Sequence, residues 1–315
     1  MLFRSVKLID VQRVSPAVIK RECDILEVLK HPNVISLKAH SKGCPEVQQD
    51  HLYFIAMELA AGGELLDKLT EPMAEPLART FFNQILDGVN YCHLAGVAHR
   101  DLKLENILLN TEGKVKLIDF GLSHMYPRIP DGSIDRSKPL LNACGSRSYA
   151  APEVLAAAGY DGYAADMWSM GVCLFGMLSG FFPLEEASGK DWRYQELIEG
   201  QRAGASTTAL VHSWYTRRCG HLSPEVIDLL DNLLLVDPKK RFGIEKARAH
   251  PWVLDKKLEQ TDKGSSSEYR SLGTSSTDTA PSTYVTYRSL SSDANNFKPS
   301  TMDDEDMPVC TLPSQ

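Results

Sequence analysis

The chain has 315 residues, a net charge of −7 and a hydrophobic fraction of 43%. This length suits one large domain or two lobes that share a cleft, and the composition is typical of a globular protein. The negative charge argues against non-specific binding to nucleic acid, so no nucleic-acid partner is expected. The oligomeric state is left open by the sequence.

The cysteine pattern predicts reduced thiols. The count of seven is odd and no C-x-x-C pair occurs, which argues against a disulfide or zinc framework. Because no signal peptide is visible either, a cytoplasmic location is expected, with the nucleus as the alternative. The apolar run over residues 167–184 is interrupted by Ser169 and Ser179. It is therefore expected to be a central core helix, and no membrane partner is predicted.

The first predicted elements are short strands around one helix. Residues 5–10 read as a buried strand, and residues 34–37 and 52–57 are expected to be adjacent antiparallel strands. Between them, Ser15 and Pro16 are typical of a helix N-cap and first helical residue, which predicts a helix from there to residue 30.

The next predicted elements frame a loop. Over residues 75–94, apolar side chains recur at three- and four-residue spacing, which predicts a long helix with one face in the core. Such a helix would hold the loop over residues 95–106 at a fixed place. Residues 107–109 and 115–118 then read as two short strands joined by a turn.

The candidate catalytic residues lie in that loop and in the segment that follows the two short strands. Residues 99–106 read His-Arg-Asp-Leu-Lys-Leu-Glu-Asn, and residues 119–121 read Asp-Phe-Gly. Phosphoryl transfer from a magnesium nucleotide needs one Asp to accept the proton of the substrate hydroxyl and a Lys to neutralise phosphate. It also needs an Asn and a second Asp to hold the metal. The order and spacing match those parts.

With Ala-Pro-Glu at residues 151–153, these motifs resemble the eukaryotic protein kinase family of the serine/threonine type. Gly-Ser-Arg-Ser-Tyr-Ala over residues 145–150 is most similar to the calmodulin-dependent and AMP-activated-like group. The resemblance implies an α+β, two-lobed kinase fold, with a small, partial, β-rich N-lobe lacking its first two strands and a large, mainly helical C-lobe. A kinase domain is expected over 1–254, with lobes 1–59 and 60–254, followed by a disordered Ser/Thr-rich tail over 255–315.

The resemblance also implies roles in the cleft. Asp101 would be the catalytic base and Lys103 would contact the γ-phosphate of ATP. Asn106 and Asp119 would be the oxygen ligands of Mg²⁺. Lys7 would hold the α- and β-phosphates, paired with Glu22 on the first helix; the alternative for Glu22 is a solvated helix-face charge.

Other implied contacts surround the adenosine. Backbone groups of Glu58 and Ala60 would bond adenine, and Leu108 would pack beneath it. Glu64 would touch ribose and an arginine of the substrate, so basic-directed protein substrates are the partners considered. Met57 resembles the gatekeeper residue before this hinge.

Further implied contacts lie outside the adenosine pocket. Ser146 would bond both Asp101 and Lys103, Asp166 would bond the backbone of the catalytic loop, and Arg241 would pair with Glu153.

The segment over residues 119–153 departs from the usual family pattern. In the family, an arginine equivalent to Arg100 usually receives a phosphothreonine, but the residue aligned with that threonine is Asn142. Phosphorylation at this position is therefore not expected to be the on-switch, and Ser137 is the fallback candidate.

The expected function is thus a serine/threonine protein kinase that uses ATP and Mg²⁺. No glycine precedes Gly43, so the Gly-x-Gly-x-x-Gly loop of the family is missing from the sequence. Either the chain is a fragment or a shortened gene product, or it lacks the lid over the phosphates. That departure is the reason for the alternative function, a pseudokinase or scaffold with impaired nucleotide use.

Overall fold

The computed structural model describes residues 4–43, 51–215, 220–255 and 285–287. The strands are β1 (Arg4–Asp10), β2 (Leu37–Lys42), β3 (Leu52–Glu58), β4 (Val97–Ala98), β5 (Ile107–Leu109), β6 (Val115–Leu117), β7 (His124–Met125) and β8 (Val285–Tyr287). The α-helices are α1 (Pro16–Val28), α2 (Glu75–Leu94), α3 (Pro152–Leu155), α4 (Gly162–Ser179), α5 (Trp192–Arg202), α6 (Thr207–Trp214), α7 (Pro224–Leu233), α8 (Ile244–Arg248) and α9 (Pro251–Leu254). The α+β, two-lobed prediction is confirmed.

The small lobe is built on a four-stranded sheet in the order β2–β3–β1–β8. β3 lies between β1 and β2 and is antiparallel to both, with Lys7 opposite Ile55. β8 is parallel to β1, with Lys7 opposite Tyr287, and was not predicted from the sequence. Apart from Asp255 and β8, the tail predicted over residues 255–315 lies outside the described residues.

The strand predicted over residues 34–37 is wrong in position, because β2 begins at Leu37 and runs to Lys42. Val34 instead forms a single bridge to Leu117, and the Ile35 amide donates to the Leu117 carbonyl at 2.9 Å. Val34 and Ile35 are buried. Their apolar side chains are therefore explained by this contact with Leu117 of the large lobe, and not by a strand of the small lobe. The mostly polar β2 pairs with β3 because it is the edge strand of the sheet, where side chains face solvent.

Helix α1 begins where the sequence predicts and ends two residues earlier. The Ser15 hydroxyl accepts a hydrogen bond from the Val18 amide, and Pro16 is the first helical residue. Ile19, Ile25 and Leu26 are buried on its inner face. The helix therefore presents the residues between them, including Glu22, to the interior of the small lobe.

The large lobe is organised around two helices. Helix α2 has the predicted bounds, Glu75–Leu94. Helix α4 is buried on nearly all sides, and this burial in the protein core explains its continuous apolar sequence. Its C-cap is Gly180, which has a left-handed φ of 71°. Across the residues that the structure describes, no helix has both the length and the apolar character needed to span a bilayer.

The predicted ion pair of Arg241 and Glu153 is confirmed as a bidentate salt bridge. Arg241 donates from Nη1 to Glu153 Oε1 at 2.6 Å and from Nη2 to Oε2 at 2.9 Å. It also donates to the carbonyls of Ala164 and Leu235. The contact thus joins the end of the segment over residues 119–153 to the helices of the large lobe.

Removing this guanidinium is expected to destabilise the protein. Arg241→Ala should lower the free energy of unfolding by about 3–5 kcal/mol, because it leaves Glu153 largely buried without its counter-ion. The matched control is Arg248→Ala, which removes an exposed pair with Asp87 and should cost at most about 1 kcal/mol. Urea titration at constant m-value is the measurement, and equal shifts of the two midpoints would contradict the expectation.

Candidate active site

A buried carboxylate beneath the catalytic loop fixes its backbone. Asp166, 1% exposed on helix α4, accepts hydrogen bonds from the amide of His99 at 2.9 Å and from the amide of Arg100 at 2.8 Å. Its Oδ2 also lies 2.9 Å from His93 Nε2. Arg100 has a left-handed φ of 67°, a conformation that costs energy for a non-glycine residue. The predicted contact of Asp166 is therefore confirmed, and it stabilises a strained turn directly before Asp101.

Asp101 is oriented through both carboxylate oxygens. Oδ1 accepts hydrogen bonds from the amide and the hydroxyl of Ser146 at 3.0 and 3.1 Å. Oδ2 accepts one from Asn106 Nδ2 at 3.0 Å and lies 3.2 Å from Lys103 Nζ. Lys103 also donates to the Ser146 hydroxyl at 2.8 Å, so the predicted double contact of Ser146 is confirmed. A carboxylate, an ammonium and an amide are thus assembled around one point.

A second cluster joins the lobes. Lys7 Nζ lies 2.7 Å from Glu22 Oε1 and 2.9 Å from Asp119 Oδ1. Glu22 is only 3% exposed, so the structure places it in the predicted ion pair and not on a solvated helix face. Asp119 has a φ of 62°, which turns its side chain towards Lys7 from the large lobe.

The electrostatics of this cluster favour a charged lysine. Burial lowers the pKa of Lys7, but the two carboxylates outweigh it, so that its pKa lies above the ordinary value. Burial raises the pKa of Glu22, an effect that Lys7 offsets only in part. Burial also works to raise the pKa of Asp119, yet Lys7 and the Gly121 amide hold it below its usual range. Asp119 is therefore the carboxylate of the pair that keeps its charge most readily.

The two clusters meet at Asn106 and Asp119, because the Ile118 amide donates to the Asn106 carbonyl at 3.0 Å. Asn106 donates its side-chain NH₂ to the backbone oxygen and to Oδ2 of Asp101, which leaves its amide oxygen unbonded by any described residue. Asp119 uses Oδ1 for Lys7 and for the Gly121 amide, so Oδ2 remains available. Two free oxygens of this kind fit Mg²⁺, which takes few protein ligands and keeps water for the rest.

The described residues contain no site with more metal ligands than this one. Within residues 4–43, 51–215 and 220–255, no group of three or more His, Cys, Asp or Glu side chains is placed to hold a metal ion. A metal bound here would accordingly depend on the oxygens of Asn106 and Asp119 together with oxygens of the nucleotide.

The predicted adenine contacts lie in the segment after β3. The Ala60 amide is buried and has no hydrogen-bond partner among the described residues, so it remains a free donor. The Glu58 carbonyl, in contrast, already accepts a hydrogen bond from the Ser5 hydroxyl at 3.0 Å. Leu108, buried on β5, forms a bridge to Glu64 and lies in the floor of the same region.

Sequence reasoning missed Ser5. Side chains two residues apart on a strand point to the same face of the sheet, so Ser5 shares the face of Lys7. The feature of the sequence that could have indicated its role is this hydroxyl on the same face of the strand as Lys7. Its pairing with Glu58 depended on the register of β1 against β3, in which Arg4 lies opposite Glu58.

Three carboxylates line the outer edge of the site. The pKa of Glu64 is raised, first by partial burial and then by repulsion from Asp67 and Glu105, with Lys103 acting in the opposite direction. Glu105 accepts a hydrogen bond from the Tyr149 hydroxyl at 2.9 Å. Asp67 and Glu105 are therefore close enough to disfavour the charged form of Glu64, and a cation would relieve that repulsion.

A loop held by Asp166, a lysine between two carboxylates and a two-lobed fold are together the features of a protein kinase domain. Residues 3–253 match the family model for the protein kinase domain, and the chain belongs to this family.

Curated relatives support the same assignment. The chain is 36% identical over 275 residues to "CBL-interacting serine/threonine-protein kinase 20" of Arabidopsis thaliana, covering 85% of this chain and 57% of that protein. It is 37% identical over 237 residues to "CBL-interacting protein kinase 24" of Oryza sativa subsp. japonica, covering 74% and 46%. It is 35% identical over 254 residues to "Probable serine/threonine-protein kinase MARK-A" of Dictyostelium discoideum, covering 79% and 21%. The chain thus spans about half or less of the length of these relatives.

Ser5→Ala is expected to tighten the binding of adenine nucleotides. The substitution removes the donor that occupies the Glu58 carbonyl, and one neutral hydrogen bond of about 1 kcal/mol corresponds to a dissociation constant for ATP lowered about fivefold. Isothermal titration calorimetry measures the change, with Ser41→Ala in the exposed strand β2 as control. A weaker or unchanged affinity for ATP in Ser5→Ala would contradict the expected competition.

Proposed function

We propose that this chain is a serine/threonine protein kinase, which transfers the γ-phosphate of ATP to Ser or Thr hydroxyls of protein substrates. Membership of the protein kinase family implies ATP as substrate and a divalent metal, and Mg²⁺ is the metal proposed here. The observation that carries the proposal is the connection of the two clusters, Asp101 with Lys103 and Asn106, and Asp119 with Lys7.

Each residue has a separate task in the proposed reaction. Asp101 orients the substrate hydroxyl and accepts its proton, since its carboxylate is held by Ser146 and Asn106. Lys103 stands beside Asp101 and neutralises charge on the transferred phosphoryl group. Lys7, fixed by Glu22, holds the remaining phosphates. A bound Mg²⁺ would supply charge neutralisation between the phosphates, with Asn106 and Asp119 as its protein ligands.

The preferred substrates are proposed to be basic. Asp67 and Glu105 repel the carboxylate of Glu64 at the edge of the site, and an arginine of a substrate placed beside Glu64 would offset that repulsion. Charge-assisted hydrogen bonds of this kind are among the strongest in proteins. A Ser or Thr peptide with an arginine before the acceptor residue should therefore be favoured over a neutral one.

The test is phosphate transfer from labelled ATP to matched peptides. They carry Ser, Thr or Tyr as acceptor and either Arg or Gln before it. Transfer to Ser and Thr but not to Tyr is expected, with a lower KM for the Arg peptides. Glu64→Gln should weaken that preference, and Glu112→Gln in an exposed turn should leave it unchanged. Absence of transfer to every peptide, in protein that binds ATP, would overturn the proposal in favour of a binding-only scaffold.

The contacts of the site do not favour the scaffold alternative, because Lys7 is bonded to Glu22 and Asp119, and Lys103 to Asp101. A cytoplasmic location is also proposed, with the nucleus as alternative. Free, buried thiols at Cys23, Cys92 and Cys173 support it. Microscopy of the tagged protein, with secretion into the medium as the contrary outcome, tests this location.

A further inference from the structure

Tyr160 links the catalytic loop to the activation segment, defined here as residues 119–153, through side-chain hydrogen bonds. The Tyr160 hydroxyl accepts a hydrogen bond from Arg100 Nε at 2.9 Å and donates one to the Asn142 carbonyl at 2.8 Å. Arg100 Nη2 donates to the same carbonyl at 2.9 Å. Three groups thus close a ring of hydrogen bonds, which we call the Tyr160 clamp.

The clamp is buried and joined to the main chain on both sides. Tyr160 is only 4% exposed, and its backbone exchanges two hydrogen bonds with Leu140, at 2.8 and 2.9 Å. Leu141, between Leu140 and Asn142, is strongly exposed. The segment is therefore held at Leu140 and Asn142 by main-chain contacts, and the side chain between them contributes no burial.

The hydrogen-bond partners of the Arg100 guanidinium are neutral groups. Among the described residues, no carboxylate forms a salt bridge with its guanidinium. The pKa of nearby His124 is lowered, first by burial and then by repulsion from Arg100 and Arg21. The guanidinium is therefore hydrogen-bonded by a phenol and a carbonyl, while the carboxylate of Asp166 acts on it only through space.

The clamp is coupled to the catalytic base through short lengths of chain. Arg100 directly precedes Asp101, and Asn142 lies four residues before Ser146, which donates to Asp101 from its amide and hydroxyl. Between them, Gly145 has a φ of 93°, and a Cβ there would lie 2.7 Å from the Arg100 carbonyl. The activation segment consequently packs against the catalytic loop so closely at Gly145 that a side chain there would clash with the Arg100 carbonyl.

We propose that Tyr160 is a positioning residue that holds the activation segment in its docked conformation without phosphorylation. The Asn142 side chain forms no hydrogen bond with the described residues. The residue takes part in the clamp only through its main-chain carbonyl. The clamp therefore depends on the hydroxyl of Tyr160 and on the backbone at residue 142, and not on a modified side chain there. This inference rests on the proposed kinase activity for its kinetic consequences, but not for its structural ones.

Hydrogen exchange and peptide kinetics on phosphatase-treated protein test the clamp. Tyr160→Phe removes a single oxygen and leaves the backbone pairing with Leu140 intact. In this variant, exchange of the amides at 140–146 should become at least about tenfold faster, because the loss of hydrogen bonds frees the segment. The KM for the peptide should rise about fivefold, with the KM for ATP nearly unchanged. Asn142→Ala should match the wild type in all three measurements.

Arg100→Lys is the second variant, because one ammonium nitrogen cannot reproduce the planar fork in which Nε reaches the phenol and Nη2 the carbonyl, and it should reproduce the faster exchange. Wild-type exchange rates in Tyr160→Phe and Arg100→Lys would overturn the inference. So would a dephosphorylated wild type that regains protection only after phosphorylation of Ser137. If the wild type transfers no phosphate but shows the expected exchange pattern, the proposed function fails and the clamp stands.

Discussion

Asp101→Asn is expected to lower kcat for peptide phosphorylation by about 10³-fold, because general-base catalysis contributes about 10²–10⁴-fold. Asparagine has nearly the same shape as aspartate and retains one oxygen acceptor for the Ser146 hydroxyl and amide. It cannot accept the proton of the substrate hydroxyl. The affinity for ATP should change little, since Asp101 bonds Ser146 and Asn106 and not Lys7.

Single-turnover transfer from labelled ATP, with ATP binding measured separately, gives the two quantities. Asp87→Asn is the matched control, because it makes the same chemical change at an exposed position on helix α2, paired with Arg248. It should retain wild-type kcat. If Asp101→Asn retained more than about a tenth of wild-type kcat, Asp101 would not be the base.

Lys7→Met is expected to weaken ATP binding and to lower kcat/KM by about 10³-fold, in the range of effects of removing a positioned charge from a phosphate site. It also alters the cluster that remains. Glu22 keeps the burial that raises its pKa, while Asp119 loses the main cause of its lowered pKa. Two carboxylates then face each other without the cation between them.

The stability of Lys7→Met should accordingly depend on pH. A carboxyl group with a pKa raised by folding destabilises the folded protein above that pKa, and the penalty is relieved as pH falls and the group binds a proton. The deficit in unfolding free energy relative to wild type should be about 3 kcal/mol at pH 7 and smaller at pH 5. Urea titration at both pH values measures it. Lys20→Met, at an exposed pair with Asp24 on the same helix, should show no such dependence, and a deficit that grows towards pH 5 would contradict the argument.

The regular helices and the catalytic contacts were predictable from the sequence on different grounds. The bounds of α2 follow from a residue spacing that admits few arrangements, whereas the Lys7–Glu22 pair and the contacts of Asp101 were implied by the resemblance to the protein kinase family. Helix α2 in particular carries a continuous apolar face, which only a helix buries on one side.

Contacts set by long-range register were not predictable in this way. The polar strand β2 pairs with β3 although the more apolar residues before it looked like the better strand. Whether Ser5 reaches Glu58, or Tyr160 reaches Arg100, depends on how segments 53 and 60 residues apart are placed. Side-chain propensity contains no information about such separations, because tertiary packing decides them.

The carboxylate of Asp166 has a consequence for the order of events in the cleft. The amides of His99 and Arg100 are bonded to it, so the strained turn before Asp101 is held by groups of the protein itself and needs no contact with a nucleotide. The conformational entropy lost when this turn is ordered is therefore part of the free-energy cost of folding helix α4 and the loop together. It does not reduce the affinity for a nucleotide, because the turn is not ordered by binding. The two amides should exchange with solvent only when the large lobe itself opens, at the same rate with or without ATP.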